Sequence, residues 1–290
     1  MARIAVVTDS TSDIPDELVN ELDIRVLPLD LRAGERLFSD TGDLDRQLFD
    51  QFIDETGEVP AAIEPTPDRF AELYRDLGHD HDGIISIHLS SRLSGTVQSA
   101  EAGREQLGGL PPVVVIDSRS TSMGLGFPVL RAAAMARTGA DLARIERVTR
   151  EAIDLTSMML LLDTLEPMRR SGRVGWGAEV VGTILHLKPI LRIEEGVVVP
   201  FRRTRSHWRA LAELVDLVRD FPRIDRLAVI SNDGQPYVEE FMSALGGRVP
   251  AERVIFSRFS AALSSIFGPG ALGVAVYEGE ATGLTSFAGD

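Results

Sequence analysis

The stretch VVTDSTSDIP, residues 6–15, begins as an apolar run and ends in two carboxylates, four hydroxyls and a proline. A run of β-branched residues that stops at polar residues is typical of a buried strand that meets a loop. Ser, Thr and Asp at such a point also cap the N-terminus of a following helix. The stretch therefore predicts the first strand-to-helix connection of an α/β fold.

The same pattern recurs along the chain. Short runs rich in Val and Ile alternate with amphipathic segments of helical period. The strand-like runs are residues 3–8, 82–89, 112–117, 158–164, 188–194, 196–201, 226–231, 253–257 and 272–278, and the helix-like segments include residues 99–107, 141–153, 208–221 and 235–245. This alternation predicts helices that cover a largely parallel sheet.

The chain of 290 residues is long enough for two domains, each with its own core. The alternation changes in residues 162–191, where a Gly-rich turn and an apolar helical segment follow a strand-like run. Residues 194–196 (EEG) then predict the turn of a hairpin. We expect an N-terminal α/β domain of residues 1–155 with a largely parallel sheet, and a C-terminal α/β domain of residues 156–290 with a mixed sheet.

Composition excludes several classes of protein. The net charge of −14 opposes nucleic-acid binding, which depends on clustered Lys and Arg. No apolar run reaches the roughly 18 to 20 residues that span a bilayer. The absence of cysteine excludes disulfides and thiolate chemistry, and together with a strand-like N-terminus in place of a signal peptide it suits a cytoplasmic protein. No cofactor or metal is expected.

Three predicted strand ends share a polar signature: residues 9–13 (DSTSD), 86–96 (SIHLSSRLSGT) and 117–122 (DSRSTS). Ligands of open α/β sheets gather outside the carboxyl ends of the strands, where helix N-termini present free N–H groups. In the second segment, Ser94-Gly95-Thr96 combines two hydroxyls with a glycine that lets the backbone approach a ligand. Helix capping explains the same residues without a ligand.

The sequence gives weaker evidence for a phosphate-binding loop, a metal site or a catalytic triad. Lys188 is the only lysine, and no segment has the spacing of a phosphate-binding P-loop. The four polar residues 79–82 (HDHD) favour a solvated loop over a metal site, and spacing alone assembles no Ser-His-Asp set. The arginines of residues 201–209 (FRRTRSHWR) suit either a bound carboxylate or phosphate, or a solvated helix start.

Six segments, in this order, resemble the DegV family of bacterial fatty-acid-binding proteins. They are residues 6–15 (VVTDSTSDIP), 85–100 (ISIHLSSRLSGTVQSA), 115–124 (VIDSRSTSMG), 162–174 (LDTLEPMRRSGRV), 187–205 (LKPILRIEEGVVVPFRRTR) and 268–273 (GPGALG). Together they span almost the full length of the chain.

The resemblance implies a protein that holds one long-chain fatty acid or related lipid, with the acyl tail in a tunnel of the second domain and the head group at the domain junction. It also implies that a separate fatty-acid kinase subunit performs the chemistry, and that this chain is not itself an enzyme. Candidate tunnel residues, which would equally suit an ordinary core, are Val180, Val181, Ile184, Leu185 and Leu187 together with residues 158–165 (MMLLLDTL).

The resemblance also assigns head-group residues by position. Ser94, followed by Gly95 and Thr96, falls on the serine that contacts the carboxylate, and Arg205 falls on the arginine after the family's hairpin. At two positions the chain departs from the family. Ala62 replaces a threonine and Ile266 replaces a histidine, so donors are lost, and Thr66 is a candidate to compensate.

Two alternatives to fatty-acid binding stay open. The three polar strand ends are consistent with an enzyme that acts on a small anion in the cleft between the domains. The departures at Ala62 and Ile266, with Glu64 in place of the family's glutamine, are consistent with a lipid whose head group is not a carboxylate.

Overall fold

The computed structural model describes residues 2–41, 44, 49, 51–52, 55–56, 58, 60–172, 187–232 and 237–279. Its strands are, in chain order, β1 (Ile4–Asp9), β2 (Ile24–Leu27), β3 (Asp30–Ala33), β4 (Arg36–Ser39), β5 (Ala61–Ile63), β6 (Gly83–His88), β7 (Val113–Asp117), β8 (Thr156–Leu161), β9 (Lys188–Glu194), β10 (Val197–Thr204), β11 (Arg226–Ser231), β12 (Val254–Ser257) and β13 (Leu272–Tyr277).

The helices of these described residues are α1 (Asp16–Glu21), α2 (Pro67–Leu77), α3 (Thr96–Glu105), α4 (Met123–Arg137), α5 (Leu142–Asp154), α6 (Glu166–Arg170), α7 (His207–Arg219), α8 (Tyr237–Leu245) and α9 (Ala261–Phe267). A 3-10 turn, Ser10–Ser12, follows β1 directly. The opening stretch of the sequence is therefore a strand that passes into a helical turn, as predicted.

The first sheet has the strand order β2-β1-β6-β7, and every pair in it is parallel. All six residues of β1 and all six of β6 are buried, which explains their continuous apolar runs. Because parallel strands end at one edge of the sheet, the polar residues after β1, β6 and β7 meet there. The predicted parallel sheet is confirmed.

The second sheet has the order β10-β9-β8-β13-β11-β12. Only β11 and β12 pair in parallel within it, and its other pairs are antiparallel. The predicted hairpin is confirmed, because β9 and β10 are joined by Glu195 and Gly196, both with positive φ, the geometry of a tight hairpin turn. The sheet is mixed, as expected.

A third, antiparallel sheet of order β4-β3-β5 is not predicted by the sequence. Its strands have four, four and three residues; β4 is largely exposed and β5 is mostly half-buried. Strands this short carry too little alternation to be recognised. The sheet includes one predicted binding residue, Ala62, in β5.

One helix, α4, joins the two large sheets through a shared core. Twelve of its 15 residues are buried, so it has no polar face and its sequence lacks a helical period. It contacts β1 and β6 of the first sheet as well as β8 and β13 of the second. The predicted domain boundary falls at Leu155, between α5 and β8, yet the apolar core continues across it.

Within the described residues, no helix has both the length and the apolar character that crossing a membrane requires.

Candidate functional site

The three polar strand ends meet at the carboxyl edge of the first sheet. Ser122 Oγ donates a hydrogen bond to Asp13 at 2.6 Å, and the amide of Leu89 donates to Asp9 Oδ2 at 3.1 Å. The amide of Ser90 also donates to the carbonyl of Ser120 at 2.8 Å. Many of these polar groups therefore brace one another, as the capping interpretation expects.

Beside this junction, an apolar cavity of about 30 Å³ lies between the two large sheets. The first half of the chain contributes Thr11, Leu29, Ala62, Leu89, Leu93, Ser94 and Thr121 to its wall, and the second half contributes Met168, Val198, Ala262, Leu263, Ile266 and Phe267. The described lining carries no ionisable side chain, so the cavity suits an apolar ligand with a small polar end.

Each of the three polar strand ends contributes one hydroxyl-bearing residue to the wall of this cavity. Thr11 Oγ1 donates to Asp9 Oδ1 at 2.5 Å, and Ser94 Oγ lies 3.0 Å from Thr96 Oγ1. Thr121 Oγ1 is buried and has no hydrogen-bond partner among the described residues. The convergence predicted from the sequence is thus real, and it places three hydroxyls around one apolar space.

The structure brings together three of the residues singled out in the sequence. Ala62 on β5, Ser94 before α3 and Ile266 on α9 all line the cavity. Gly95 borders Glu64, whose Oε1 lies 2.8 Å from the position that a Cβ on this glycine would take. Thr96 is buried as the first residue of α3 and contacts Ser94.

Two other predicted residues lie away from this lining. Thr66 is exposed and caps α2, where its side chain accepts a hydrogen bond from the amide of Arg69 at 3.5 Å. Arg205 is exposed after β10. The predicted tunnel residues Val180, Val181, Ile184 and Leu185 lie outside the described residues, whereas Leu187 is half-buried.

A buried hydrogen-bonded chain of Asp9, His88 and Ser86 lies behind the cavity. Asp9 Oδ2 is 2.9 Å from His88 Nδ1, and His88 Nε2 is 2.7 Å from Ser86 Oγ. Tyr74 donates its hydroxyl to the same Ser86 Oγ at 2.8 Å, and burial raises the pKa of Tyr74.

Asp9, His88 and Ser86 are the residue types of a catalytic triad, but these three side chains and that of Tyr74 are fully buried. Because Ser86 Oγ accepts from Tyr74, its own proton is available for His88 Nε2, and the ring N–H of His88 is then Nδ1–H, which donates to Asp9. No substrate reaches a serine enclosed in this way. The spacing of these residues along the sequence does not reveal their hydrogen bonds, because Asp9 and His88 lie on separate strands, β1 and β6.

Buried carboxylates also fix the helix that carries Ile266. Asp40 accepts hydrogen bonds from Ser10 Oγ at 2.9 Å and from the amide of Ala261, the first residue of α9, at 2.8 Å. Asp13 accepts from the amide of Ser260 at 2.8 Å, and burial raises the pKa of Asp13 well above its usual value. The opening stretch thus holds one wall of the cavity in place.

A second, larger cleft of about 630 Å³ is lined by residues of β2 and β12, the end strands of the two large sheets. Its described lining includes the carboxyl groups of Asp13, Asp16 and Asp40 together with Arg258. These polar side chains disfavour an apolar chain there, and the carboxyl groups of Asp16 and Asp40 disfavour an anion. The smaller cavity is therefore the stronger candidate, although it has less volume.

The model of the DegV family, described as a family of uncharacterised proteins, matches residues 3–279 of this chain. A DegV domain-containing protein of Caldanaerobacter subterraneus subsp. tengcongensis is 32% identical over 278 residues, which are 94% of this chain and 98% of that protein. The chain belongs to the DegV family.

Solved structures of the DegV family have the same fold. A DegV family protein from Thermus thermophilus, described as fatty-acid binding, matches with a TM-score of 0.86 and 32% identity over 95% of this chain and 99% of its own. DegV from Bacillus subtilis, described as a fatty acid binding protein, matches with a TM-score of 0.84 and 29% identity over 96% and 100%. These similarities confirm the predicted family and fold class.

The positions at which this chain departs from the DegV motifs cluster at the cavity. Ala62 and Ile266, where the family resemblance expects a threonine and a histidine, lie in the same wall as Ser94, where the motif is kept. Both departures that the resemblance predicts therefore lie in the lining of one cavity, within a fold that the solved DegV structures share.

Proposed function

We propose that this chain binds one long-chain fatty acid or a related lipid in the cavity between its two large sheets, with the polar end of the lipid near Ser94. The observation that carries the proposal is the apolar cavity whose wall includes one hydroxyl-bearing residue from each of the three strand ends. The fatty-acid-binding relatives from Thermus thermophilus and Bacillus subtilis support this class of ligand.

The acyl chain supplies most of the binding free energy, because each buried methylene contributes about 0.8 kcal/mol. A long chain needs more room than the cavity of about 30 Å³ provides, so binding has to move side chains of the wall. Met168 and Phe267 are the largest of these, and the unbranched Met168 repacks easily. The predicted tunnel in the second half of the chain remains part of this proposal.

The chain acts as a carrier in this proposal, and a separate fatty-acid kinase subunit phosphorylates the presented head group. Two features support a role without catalysis. The described cavity lining has no acid, base or cation, and the Asp9–His88–Ser86 set is closed to substrate. The same lining disfavours an enzyme that acts on a small anion, because such an enzyme needs a cation or a cluster of donors to hold it.

Lipid extraction followed by mass spectrometry tests the proposal. Protein purified from a bacterial host should release about one acyl lipid per chain. Ala62→Phe, which fills the cavity, should lower this occupancy. Ala61→Phe is the matched control, because Ala61 is exposed and neighbouring strand residues point to opposite faces. Wild-type protein without lipid, or equal occupancy in both variants, would refute binding in this cavity.

The kinase partner is tested separately. Lipid-loaded protein, ATP and a candidate bacterial kinase subunit should form a lipid phosphorylated at its head group, and omission of either protein should abolish the product. Phosphorylated lipid formed by this chain alone would show that it is an enzyme.

A further inference from the structure

We infer that the polar end of the bound lipid is an uncharged hydroxyl, as in a long-chain alcohol, and that Thr121 and Ser94 hold it. This inference rests on the proposed function and adds the chemistry of the head group. It also adds Thr121, which lies in the polar segment 117–122 after β7, to the binding residues.

Thr121 has a buried hydroxyl that bonds to no group in the described part of the chain. Its exposed fraction is 1%, and its Oγ1 atom has no hydrogen-bond partner among the described residues. A buried polar group without a partner is costly, and a ligand oxygen that accepts its proton removes that cost. Because Thr121 lies in the cavity wall, a ligand in the cavity is the group that can do so.

The charge around the cavity opposes an ionised carboxylate. The described lining contains no Lys, Arg or His, and Arg205 lies outside that lining. The buried carboxyl group of Asp9 is bonded directly to the lining residue Thr11, and Glu64 borders Gly95. The ionised carboxylate of a ligand would lose its hydrating water here. It would gain no cation from the described wall and would lie near the two acidic side chains.

An alcohol meets these conditions. Its oxygen accepts the proton of Thr121 Oγ1, and its own proton goes to Ser94 Oγ, which can accept it because a hydroxyl oxygen has two lone pairs. Ser94 Oγ also keeps its contact with Thr96 Oγ1 at 3.0 Å. All the buried hydroxyls of this part of the wall are then satisfied without a charge.

The test compares hexadecanol with hexadecanoate, which have the same chain length, at about pH 8, where a carboxyl group is ionised in water. Delipidated full-length protein is titrated with each ligand by competition against a fluorescent acyl probe. We expect hexadecanol to bind at least tenfold more tightly than hexadecanoate. Thr121→Val, which keeps the shape and removes the hydroxyl, should weaken hexadecanol binding about threefold to tenfold.

Thr8→Val is the matched control. Thr8 in β1 is fully buried and its Oγ1 also lacks a partner among the described residues, but it is not in the cavity wall. Hexadecanol binding should be unchanged in this variant. Both substitutions remove an unsatisfied hydroxyl, so each should leave the melting temperature equal or higher.

The outcomes separate the inference from the proposed function. Tighter binding of hexadecanoate, or equal hexadecanol affinity in Thr121→Val and wild type, overturns the inference while lipid binding stands. Failure of both ligands to compete with the acyl probe, or failure of the probe itself to bind, overturns the proposed function as well.

Discussion

Ser122 and Asp13 are joined by a buried hydrogen bond of 2.6 Å, which ties the third polar strand end to the first. Asp13 has φ of 51°, and its carboxyl group also accepts from the amide of Ser260. Burial raises the pKa of Asp13, with a smaller contribution from the charge of Asp40, whereas its hydrogen bonds act in the opposite direction.

The raised pKa makes stability depend on pH. A carboxyl group whose pKa is higher in the folded state than in the unfolded chain stabilises the fold while it is protonated, and this stabilisation is lost as the pH rises through the folded pKa. Asp13→Asn removes the titration and suits a positive φ. The variant should lack this part of the pH dependence. Near neutral pH, its free energy of unfolding should equal that of the wild type or exceed it by on the order of 1 kcal/mol.

Urea unfolding at several pH values from acidic to neutral measures the free energy of unfolding of the wild type and of Asp13→Asn. A variant whose stability falls with rising pH as steeply as that of the wild type would show that Asp13 does not titrate in this range. Ser122→Ala is a useful companion, because it keeps the titrating group and removes one of its donors.

Asp40 should control both stability and the cavity wall. Asp40→Ala removes the acceptor for Ser10 Oγ and for the amide of Ala261, so the free energy of unfolding should fall by about 1–3 kcal/mol. Because α9 carries Leu263 and Ile266, acyl-probe binding should weaken too. Asp40→Asn keeps one acceptor oxygen, so its free energy of unfolding should lie between those of the wild type and Asp40→Ala. Unchanged unfolding in Asp40→Ala would contradict this account of the helix cap.

Gly196 should tolerate no side chain. Its φ is 80°, and a Cβ there would lie 2.5 Å from Ser90 Oγ, which donates to the carbonyl of Gly196 at 2.7 Å. Gly196→Ala should lower the free energy of unfolding by about 1–2 kcal/mol for the backbone alone, and further for the collision. Gly247, with φ of 72° and no atom within 4 Å of its Cβ position, provides the control. Equal losses in the two alanine variants would mean that the hairpin turn is not held against Ser90.

Ser94 and Arg205 represent two locations for the head group. If the polar end of the lipid lies in the cavity, Ser94→Ala should weaken binding about threefold to tenfold. Arg205→Ala should change it less than about twofold, because the arginine is exposed and outside the described lining. Competition titration measures both. The reverse order of effects would place the head group at the surface beside Arg205.

The elements predicted from the sequence are those with a strong local pattern. β1 and β6 are recognisable because they are buried on both faces, and β7 because of its run of Val and Ile. The turn at Glu195-Gly196 is recognisable because a short hairpin needs such residues. The helix α4 is not, because burial on all sides removes its helical period.

Some site residues are likewise recognisable from a local motif, and others only from the tertiary structure. Ser94 stands out through its motif, and the polar strand ends predict that hydroxyls converge. Which hydroxyl remains unpaired depends on tertiary packing, so Thr121 cannot be distinguished from its neighbours without the structure. The contact of His88 with Asp9 is likewise set by the pairing of β1 with β6, which spacing does not encode.

Photochemical cross-linking locates the bound lipid directly. A long-chain alcohol or acid with a diazirine near the end of its chain is bound and irradiated, and the labelled peptides are mapped by mass spectrometry. We predict labels on the segments that contain Met168 and Phe267, and their loss in Ala62→Phe. Labels confined to Val26 or Phe256 in the larger cleft, or no labelling that a long-chain lipid can displace, would contradict lipid binding between the two sheets.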